Sequence, residues 1–240
     1  MTLNDFSNGF DTLLNSYSRR DDLGTTDADI RLDEYEKSFF LTKFQEEYVL
    51  SLYNGKNPYS ESFEHTEELR RYLSFLVKEA ELPPIETTNG MPLGMESNSK
   101  FFTLPEDLWF ITYEKAINAA ETCDYKHSQE VYPVRQDEYS KLRKNPFRGA
   151  NKRRALRLDL SEGIVEVISQ FGVTSYYVRY LRKLNPIVLA ELDEEAAVDG
   201  VYTPTECELP EFLHQRILEG AVMMALQSKG INVRNNNENK

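Results

Sequence analysis

An α+β fold is predicted by two changes of hydrophobic pattern along the 240-residue sequence. Between residues 9 and 81, apolar residues recur at steps of three and four, the spacing of one face of an α-helix. From about residue 101, aromatic and β-branched residues form short runs that are typical of strands, and near residue 210 the helical spacing returns. The sequence therefore predicts N-terminal helices and a C-terminal helix that form a bundle, with an antiparallel β-rich insertion between them.

The N-terminal helical region is predicted to span residues 1–81. Its longest helix covers residues 30–53, which contain no proline or glycine, and Gly55 is suited to end it in the left-handed conformation. One face of this helix carries Leu41, Phe44, Tyr48 and Leu52. Further apolar residues widen that face, so we expect the helix to pack on more than one neighbour. Shorter helices are predicted over residues 9–20 and 66–81, the second with Thr66 as its N-cap.

Residues 82–100 hold three prolines and two glycines, which predicts a long loop before the β-rich insertion of residues 101–206. Within the insertion, residues 108–113 and 130–134 are expected to pair as strands, and a short helix is expected over residues 136–143. The runs that follow predict an antiparallel meander of residues 156–160, 164–168 and 176–181, closed by residues 187–189.

The last helix is predicted within residues 207–231, where it begins near Pro210 and packs back on the bundle. Residues 232–240 have no apolar residue after Val233, which predicts a disordered tail. The chain starts without the basic and apolar segments of a signal peptide, and no window approaches the ~18 apolar residues of a membrane span. These features predict a soluble protein that is made in the cytoplasm.

Composition argues against several functions. Forty acidic residues against 28 basic ones give a formal charge of −12, which disfavours general binding to nucleic acid. Cys123 and Cys207 stand alone, so neither a disulfide framework nor a zinc site is expected. The histidines His65, His127 and His214 lie far apart, and we expect incidental surface or capping roles for them.

No motif for nucleotide binding, nucleophilic catalysis or calcium binding occurs in the sequence. We therefore predict no catalytic residue, no metal site and no cofactor, and a protein that is not an enzyme. The alternative is an enzyme whose carboxylates converge only in three dimensions, and a buried pocket with paired Asp or Glu residues would favour it.

Two charged segments are the candidate sites of subunit or partner contact. The basic segment, which has no acidic residue within it, carries Lys141, Arg143, Lys144, Arg148, Lys152, Arg153, Arg154 and Arg157. The acidic segment carries Glu191, Asp193, Glu194, Glu195 and Asp199. Opposite charges on one chain suit head-to-tail association, in which the basic segment of one subunit faces the acidic segment of the next. Two solvated loops would give the same pattern, and the basic segment could instead grip a phosphate backbone.

Several segments in order along the chain resemble the ring proteins of crAss-like bacteriophages, which lie below the portal and connect head to tail. They are LDEYEKSFFLTKFQEE (32–47), FTLPEDLWFITYE (102–114) with VYPVRQDEYSKLRKNPFR (131–148), YYVRYLRKLNPIVL (176–189) and CELPEFLHQRILEGAVMMAL (207–226). The predicted arrangement, a helical bundle with a β-rich insertion, is also similar to that of adaptor proteins of short-tailed phages.

The resemblance implies a structural subunit of a head-to-tail connector ring in the virion, at the portal vertex. It implies about twelve copies that match the portal, with the portal and further ring or tail proteins as partners. DNA would pass through the lumen without specific recognition, and an acidic wall would let it slide. The alternative from a different class is a DNA-binding accessory protein that uses residues 141–157.

Overall fold

The computed structural model describes residues 1–18, 31–55, 67–86, 99–118, 128–160 and 163–230. The chain divides into two compact units. The helical unit contains Met1–Phe75 and Leu184–Lys240, and the sheet unit contains Leu76–Lys183. The predicted α+β class is confirmed, because helices form the first unit and one seven-stranded sheet forms most of the second.

The described residues of the helical unit form four α-helices. They are α1 (Leu3–Ser18), α2 (Glu34–Asn54), α3 (Glu67–Leu73) and α5 (Glu211–Ser228). The two ends of α2 follow its sequence signals. Asp33 and Glu36 form a reciprocal capping box, and Gly55 ends the helix with a φ angle of 72°. Such an N-cap contributes about 1 kcal/mol, and the glycine is needed because a side chain is disfavoured at that φ angle.

The buried face of α2 is partly polar, because residues 185–189 lie along it in an extended conformation. We refer to these residues as the extended segment. The Nε2 of Gln45 donates to the carbonyl of Asn185 at 3.0 Å. Ser38 Oγ accepts a hydrogen bond from the backbone N–H of Leu189 at 3.0 Å. Thr42, between these two residues, bonds both backbone groups of Ile187. On the edge that faces α2, the backbone of the extended segment is therefore paired with helix side chains, and on its other edge Val188 forms an antiparallel bridge with Thr205.

Seven strands lie in the described part of the sheet unit. They are β1 (Val77–Leu82), β2 (Lys100–Thr103), β3 (Leu108–Asn118), β4 (Ser128–Pro133), β5 (Arg154–Asp159), β6 (Ile164–Ile168) and β7 (Val173–Arg182). Their order in the sheet is β1-β7-β3-β4-β5-β6-β2. All neighbouring pairs are antiparallel except β4 and β5, which run parallel and are joined through helix α4 (Gln136–Leu142).

The sheet curls so that its two edge strands approach each other. Just beyond the end of β1, the N–H of Ile85 donates to the carbonyl of Phe101 in β2 at 2.8 Å. The rings of Phe102 in β2 and Tyr176 in β7 lie 5.3 Å apart, although four strands separate β2 from β7 in the sheet. The concave side holds one core, and α4 packs on the convex side through Tyr139 against Leu156 and its neighbours.

Several element predictions are wrong. The helix predicted over residues 66–81 ends at Leu73, and after a 3-10 turn the chain enters β1, which pairs with β7. The predicted meander holds only for β5 and β6, because β7 lies between β1 and β3. Residues 187–189 do not close the sheet, since they belong to the extended segment on α2. Thr66 lies outside the described residues.

Other element predictions are confirmed. Residues 108–113 and 130–133 are strands as predicted, and the short helix follows at α4. Their predicted pairing with each other is wrong, because residues 108–113 pair with β7 and residues 130–133 with β5, while β3 and β4 meet only through residues 115–117 and 128–130. The last helix begins directly after Pro210. Within the described residues, no helix is both long and apolar enough to cross a membrane.

Candidate subunit interface

Six cations of the predicted basic segment are exposed on the sheet unit, from the last turn of α4 to the residue before β5. They are Lys141, Arg143, Lys144, Arg148, Lys152 and Arg153. We refer to residues 141–153 as the basic loop. Because no acidic residue lies within it, these side chains add to one positive surface.

Two asparagines give the basic loop its shape. Asn145 Oδ1 accepts hydrogen bonds from the backbone N–H groups of Phe147 and Arg148, at 2.9 and 3.2 Å. Asn151 Oδ1 accepts from the N–H groups of Arg153 and Arg154, at 2.9 and 3.0 Å. Such Asx turns fix the local backbone, and Asn is favoured at both positions for this reason.

The basic loop is also tied to the sheet. Gln129, a buried residue of β4, donates to the carbonyl of Asn151 at 2.5 Å. Gln170 donates to the carbonyl of Ala150 at 2.9 Å. Arg154 donates from Nη1 to the carbonyl of Phe147 at 3.1 Å, and its guanidinium lies 4.3 Å from the centre of the Tyr132 ring. Arg154 is therefore occupied in holding the loop and is only half-exposed.

Arg157 lies inside the curled sheet and is separate from the exposed basic loop. It is 8% exposed, and its Nη1 donates to Glu114 Oε2 at 2.8 Å. Tyr176 donates its hydroxyl proton to the same carboxylate oxygen. Burial raises the pKa of Glu114 and that of Tyr176, while Glu114 holds the pKa of Arg157 above its usual value against the opposing effect of burial. The structure thus gives Arg157 a partner within its own unit.

The predicted acidic segment forms a folded loop on the helical unit, and we refer to residues 191–199 as the acidic loop. Its five carboxylates are all exposed: Glu191, Asp193, Glu194, Glu195 and Asp199. A 3-10 turn spans Glu194–Ala196. Val198 and Val201 then exchange two backbone hydrogen bonds of 2.9 Å across Asp199 and Gly200, which have φ angles of 48° and 83°. Positive φ at both central residues is the geometry of a tight hairpin turn.

A buried apolar residue and an ion pair help to hold the acidic loop within the helical unit. Val198 is buried, and Asp199 Oδ1 lies 3.4 Å from Lys43 Nζ on α2. After the turn, Tyr202 returns beside the loop, and its carbonyl accepts from the N–H of Leu192 at 2.9 Å. The Tyr202 side chain is 41% exposed. These contacts give a fixed acidic surface with an aromatic residue beside it.

Phe147 in the basic loop and Tyr202 beside the acidic loop were missed by reasoning from the sequence, although Phe147 has a visible signal. Phe147 is 85% exposed and stands within a run of cations and turn-forming residues, where an apolar side chain has no core to enter. Tyr202 has no such signal, because its place beside the acidic loop depends on the turn at Asp199 and Gly200. The contact predicted between the two loops stays a prediction.

The remaining candidates for chemistry are the histidines, the cysteines and one surface cleft. His65, His127 and Cys123 lie outside the described residues. The surface or capping role expected for the histidines is wrong for His214, which is buried with Nε2 2.7 Å from the carbonyl of Leu209. An open cleft of about 580 Å³ is lined by Glu67, Arg71, Tyr72 and Phe212, and its Glu67 pairs with Arg71 at 2.9 Å. In the described part of the chain, no group of His, Cys, Asp and Glu side chains could hold a metal ion.

Comparison with known proteins gives a match along nearly the whole chain. A family model described as phage tail ring protein 3/4 matches residues 1–238. The chain belongs to this family. It is 44% identical over 232 residues to "Ring protein 3" of Bacteroides phage crAss001, covering 95% of this chain and 96% of the relative. It is 31% identical over 234 residues to "Ring protein 4/5" of the same phage, covering 94% of this chain and 92% of the relative.

These matches confirm the resemblance to the ring proteins of crAss-like phages. Because they include both the helical and the sheet unit, family membership applies to the whole fold and not to one part of it. The chain is a structural phage protein of the ring family.

Proposed function

We propose that this protein forms a closed ring in the head-to-tail connector of a tailed phage, directly below the portal. The ring would extend the DNA channel and give the tail a surface for attachment. The observation that carries this proposal is the family match over residues 1–238, together with 44% identity to a ring protein across nearly all of both chains. The proposed location is the portal vertex of the virion, and the role is mechanical and not enzymatic.

The ring would contain about twelve copies, in register with a portal, joined by heterologous contacts. A heterologous contact needs two different surfaces on each copy that complement each other. The exposed basic loop and the exposed acidic loop provide surfaces of opposite charge, each held in shape by its own hydrogen bonds. We propose these loops as part of the contact between neighbouring copies.

Exposed apolar residues on the helical unit support further protein contacts. Tyr35, Phe39 and Leu50 share one stripe of α2, next to its buried face, and are 37%, 39% and 37% exposed. At the start of α5, Phe212 is 61% exposed. Several half-exposed aromatic and aliphatic side chains are typical of a subunit that buries them against a neighbour, the portal or a tail protein.

The charge of the chain also fits a channel. With a formal charge of −12 per copy, a ring would repel the phosphate backbone from most of its wall, so that DNA could slide. The basic loop is a run of cations with no acidic residue in it, and under this proposal it faces a protein and not the lumen.

A phage whose copy of this gene is interrupted provides the test. We expect filled heads without tails when particles from such an infection are imaged, and restored tails when the intact protein is supplied in trans. Tailed, infectious particles that lack the protein would contradict the connector role. Labelling of intact virions with an antibody to this chain should mark only the junction of head and tail.

A second candidate, a DNA-binding accessory protein, is favoured by the six exposed cations of the basic loop. If all six contacted phosphate, log K would fall with log salt at a slope of about −5. Binding of the isolated protein to a short DNA duplex, measured at several salt concentrations, distinguishes the two. If the second candidate is correct, the double substitution Lys152→Glu and Arg153→Glu should abolish this binding. If the connector proposal is correct, the unsubstituted protein should show no appreciable binding to the duplex.

A further inference from the structure

Phe147 is the most exposed of the large hydrophobic side chains in the described residues, at 85%. Burial of a Phe side chain is favourable by about 1.5 to 3 kcal/mol, so leaving this ring in water forgoes that stabilisation. The position is also fixed. The N–H of Phe147 is held by Asn145, and its carbonyl is held by Arg154. The ring therefore projects from a backbone bonded on both sides.

A preformed loop with an apolar tip and a charged rim has the anatomy of an interface anchor. Anchors are aromatic residues at the centre of a contact, surrounded by polar groups that exclude water. Phe147 lies within the run of exposed cations between Lys144 and Arg148, and Lys152 and Arg153 follow in the same loop. Because the Asx turns already hold the loop backbone, docking would lose little additional conformational entropy.

We infer that Phe147 is the anchor by which the basic loop docks on the acidic loop of a second copy of this chain, with Tyr202 as its aromatic contact. This inference rests on the proposed ring and identifies one contact within it. The carboxylates of the acidic loop would face the cations of the basic loop, and the two rings would meet between them. Aromatic pairs of this kind stabilise a contact beyond the effect of the area that they bury.

Charge complementarity argues for a second copy as the occupant. Residues 141–157 hold eight basic residues and no acidic one, so the rest of the chain has 20 basic against 40 acidic residues and a formal charge of −20. Another copy is therefore a strongly acidic partner for this loop. The two loops are different surfaces, so each copy keeps one of each free for the next copy, and the contact can propagate into a ring.

The first experiment measures association of the full chain after substitution of the anchor. Loss of a central aromatic anchor usually costs 2 kcal/mol or more, so Phe147→Ala should weaken association about 30-fold. Phe147→Tyr should retain most of the affinity. Tyr113→Ala removes a 47% exposed aromatic residue of the same unit from outside the loop, and it should change association less than about 3-fold.

The second experiment identifies the surface that Phe147 contacts. A photoreactive benzoyl-phenylalanine at position 147 keeps an aromatic ring at that position. Mixing unlabelled and isotope-labelled copies distinguishes cross-links between two copies from cross-links within one copy. The chain is irradiated alone and in complex with portal protein, and linked peptides are identified by mass spectrometry. We expect links between copies to the peptide that contains the acidic loop and Tyr202. The same probe at position 113 is the matched control and should not link there.

The outcomes separate this inference from the proposed function. In one outcome, rings form while position 147 cross-links to another surface, such as the cleft at Phe212 or the portal, or gives no cross-link at all. Such a result would overturn the assignment of Phe147 as the anchor, but it would not contradict the proposed ring. Association that Phe147→Ala does not alter would overturn it as well. Failure of the chain to assemble, both alone and with the portal, would contradict the proposed ring itself.

Discussion

Thr42→Val tests how the helical unit holds its extended segment on α2. The Thr42 hydroxyl accepts from the N–H of Ile187 at 3.0 Å and donates to the carbonyl of the same residue at 3.3 Å. Thr42 is 1% exposed and Ile187 is fully buried, so water cannot replace the lost partner. Valine has nearly the same shape, and the substitution therefore removes the two hydrogen bonds while keeping the packing.

Each buried polar group left without a partner costs about 1 to 3 kcal/mol, so with two such groups we expect Thr42→Val to lower the free energy of unfolding by about 2 to 6 kcal/mol. With a urea m-value of about 2 kcal/mol/M, the unfolding midpoint should fall by roughly 1 to 3 M. Helical circular dichroism during urea titration of the full chain measures this. Thr42→Ser keeps the hydroxyl and is the matched control, with an expected loss below about 1 kcal/mol. Equal effects of the two substitutions would refute the role of the hydroxyl.

Two further predictions concern buried ionisable groups. Arg157→Met leaves the buried Glu114 without its cation, and Glu114→Leu leaves Arg157 with only the exposed Asp159, 2.9 Å from its Nε. Each substitution alone should cost about 3 to 5 kcal/mol in urea unfolding, and the double substitution should cost less than the sum. The exposed control Arg153→Met should cost under about 0.5 kcal/mol, and additive single effects would contradict the pairing. Burial raises the pKa of Cys207 to about 11 from 9.0, which lowers its thiolate fraction at pH 8 about 100-fold. A more basic thiolate is the better nucleophile, which offsets about 10-fold of this loss. The net alkylation rate of Cys207 in the folded chain should therefore be about 10-fold below that in the urea-unfolded chain, and it should rise with pH up to about pH 11. Equal rates in the two states, read by mass spectrometry of the Cys207 peptide, would show that the thiol is not perturbed.

Helix positions could be predicted where local signals decide them. Gly55 ends α2, and Pro210 directly precedes α5, because backbone geometry at these positions depends on the residue itself. The sequence predicts a helix over residues 66–81, because Val77 and Ala80 continue its apolar spacing, yet residues 77–82 form β1. Pairing with β7 determines their conformation, and such pairing between residues distant in sequence has no local signature.

The order of the strands could not be read from the sequence for the same reason. The meander prediction assumed that consecutive strands are neighbours, which holds for β5 and β6 but not for β7. The extended segment of residues 185–189 has the composition of a buried strand. It lies on α2 because Ser38, Thr42 and Gln45 supply the hydrogen bonds that a neighbouring strand would have supplied.

The candidate site divides in a similar way. Charge is visible in sequence, so both loops could be identified from it, and their acidic or basic residues are mostly exposed. Arg157 could not be separated from the other cations, because its burial depends on the curl of the sheet and on Glu114 in another strand. Phe147 became a candidate only when the structure gave its exposure and the bonds that hold its backbone.

The central claim is that copies of this chain close into a ring, and native mass spectrometry tests it most directly. The measurement compares the purified chain alone and with portal protein, at low and moderate salt. The account predicts a closed assembly of about twelve times the 27.9 kDa chain mass, formed either by the chain alone or on the portal. A chain that stays a monomer in both preparations, at every salt concentration, would contradict it.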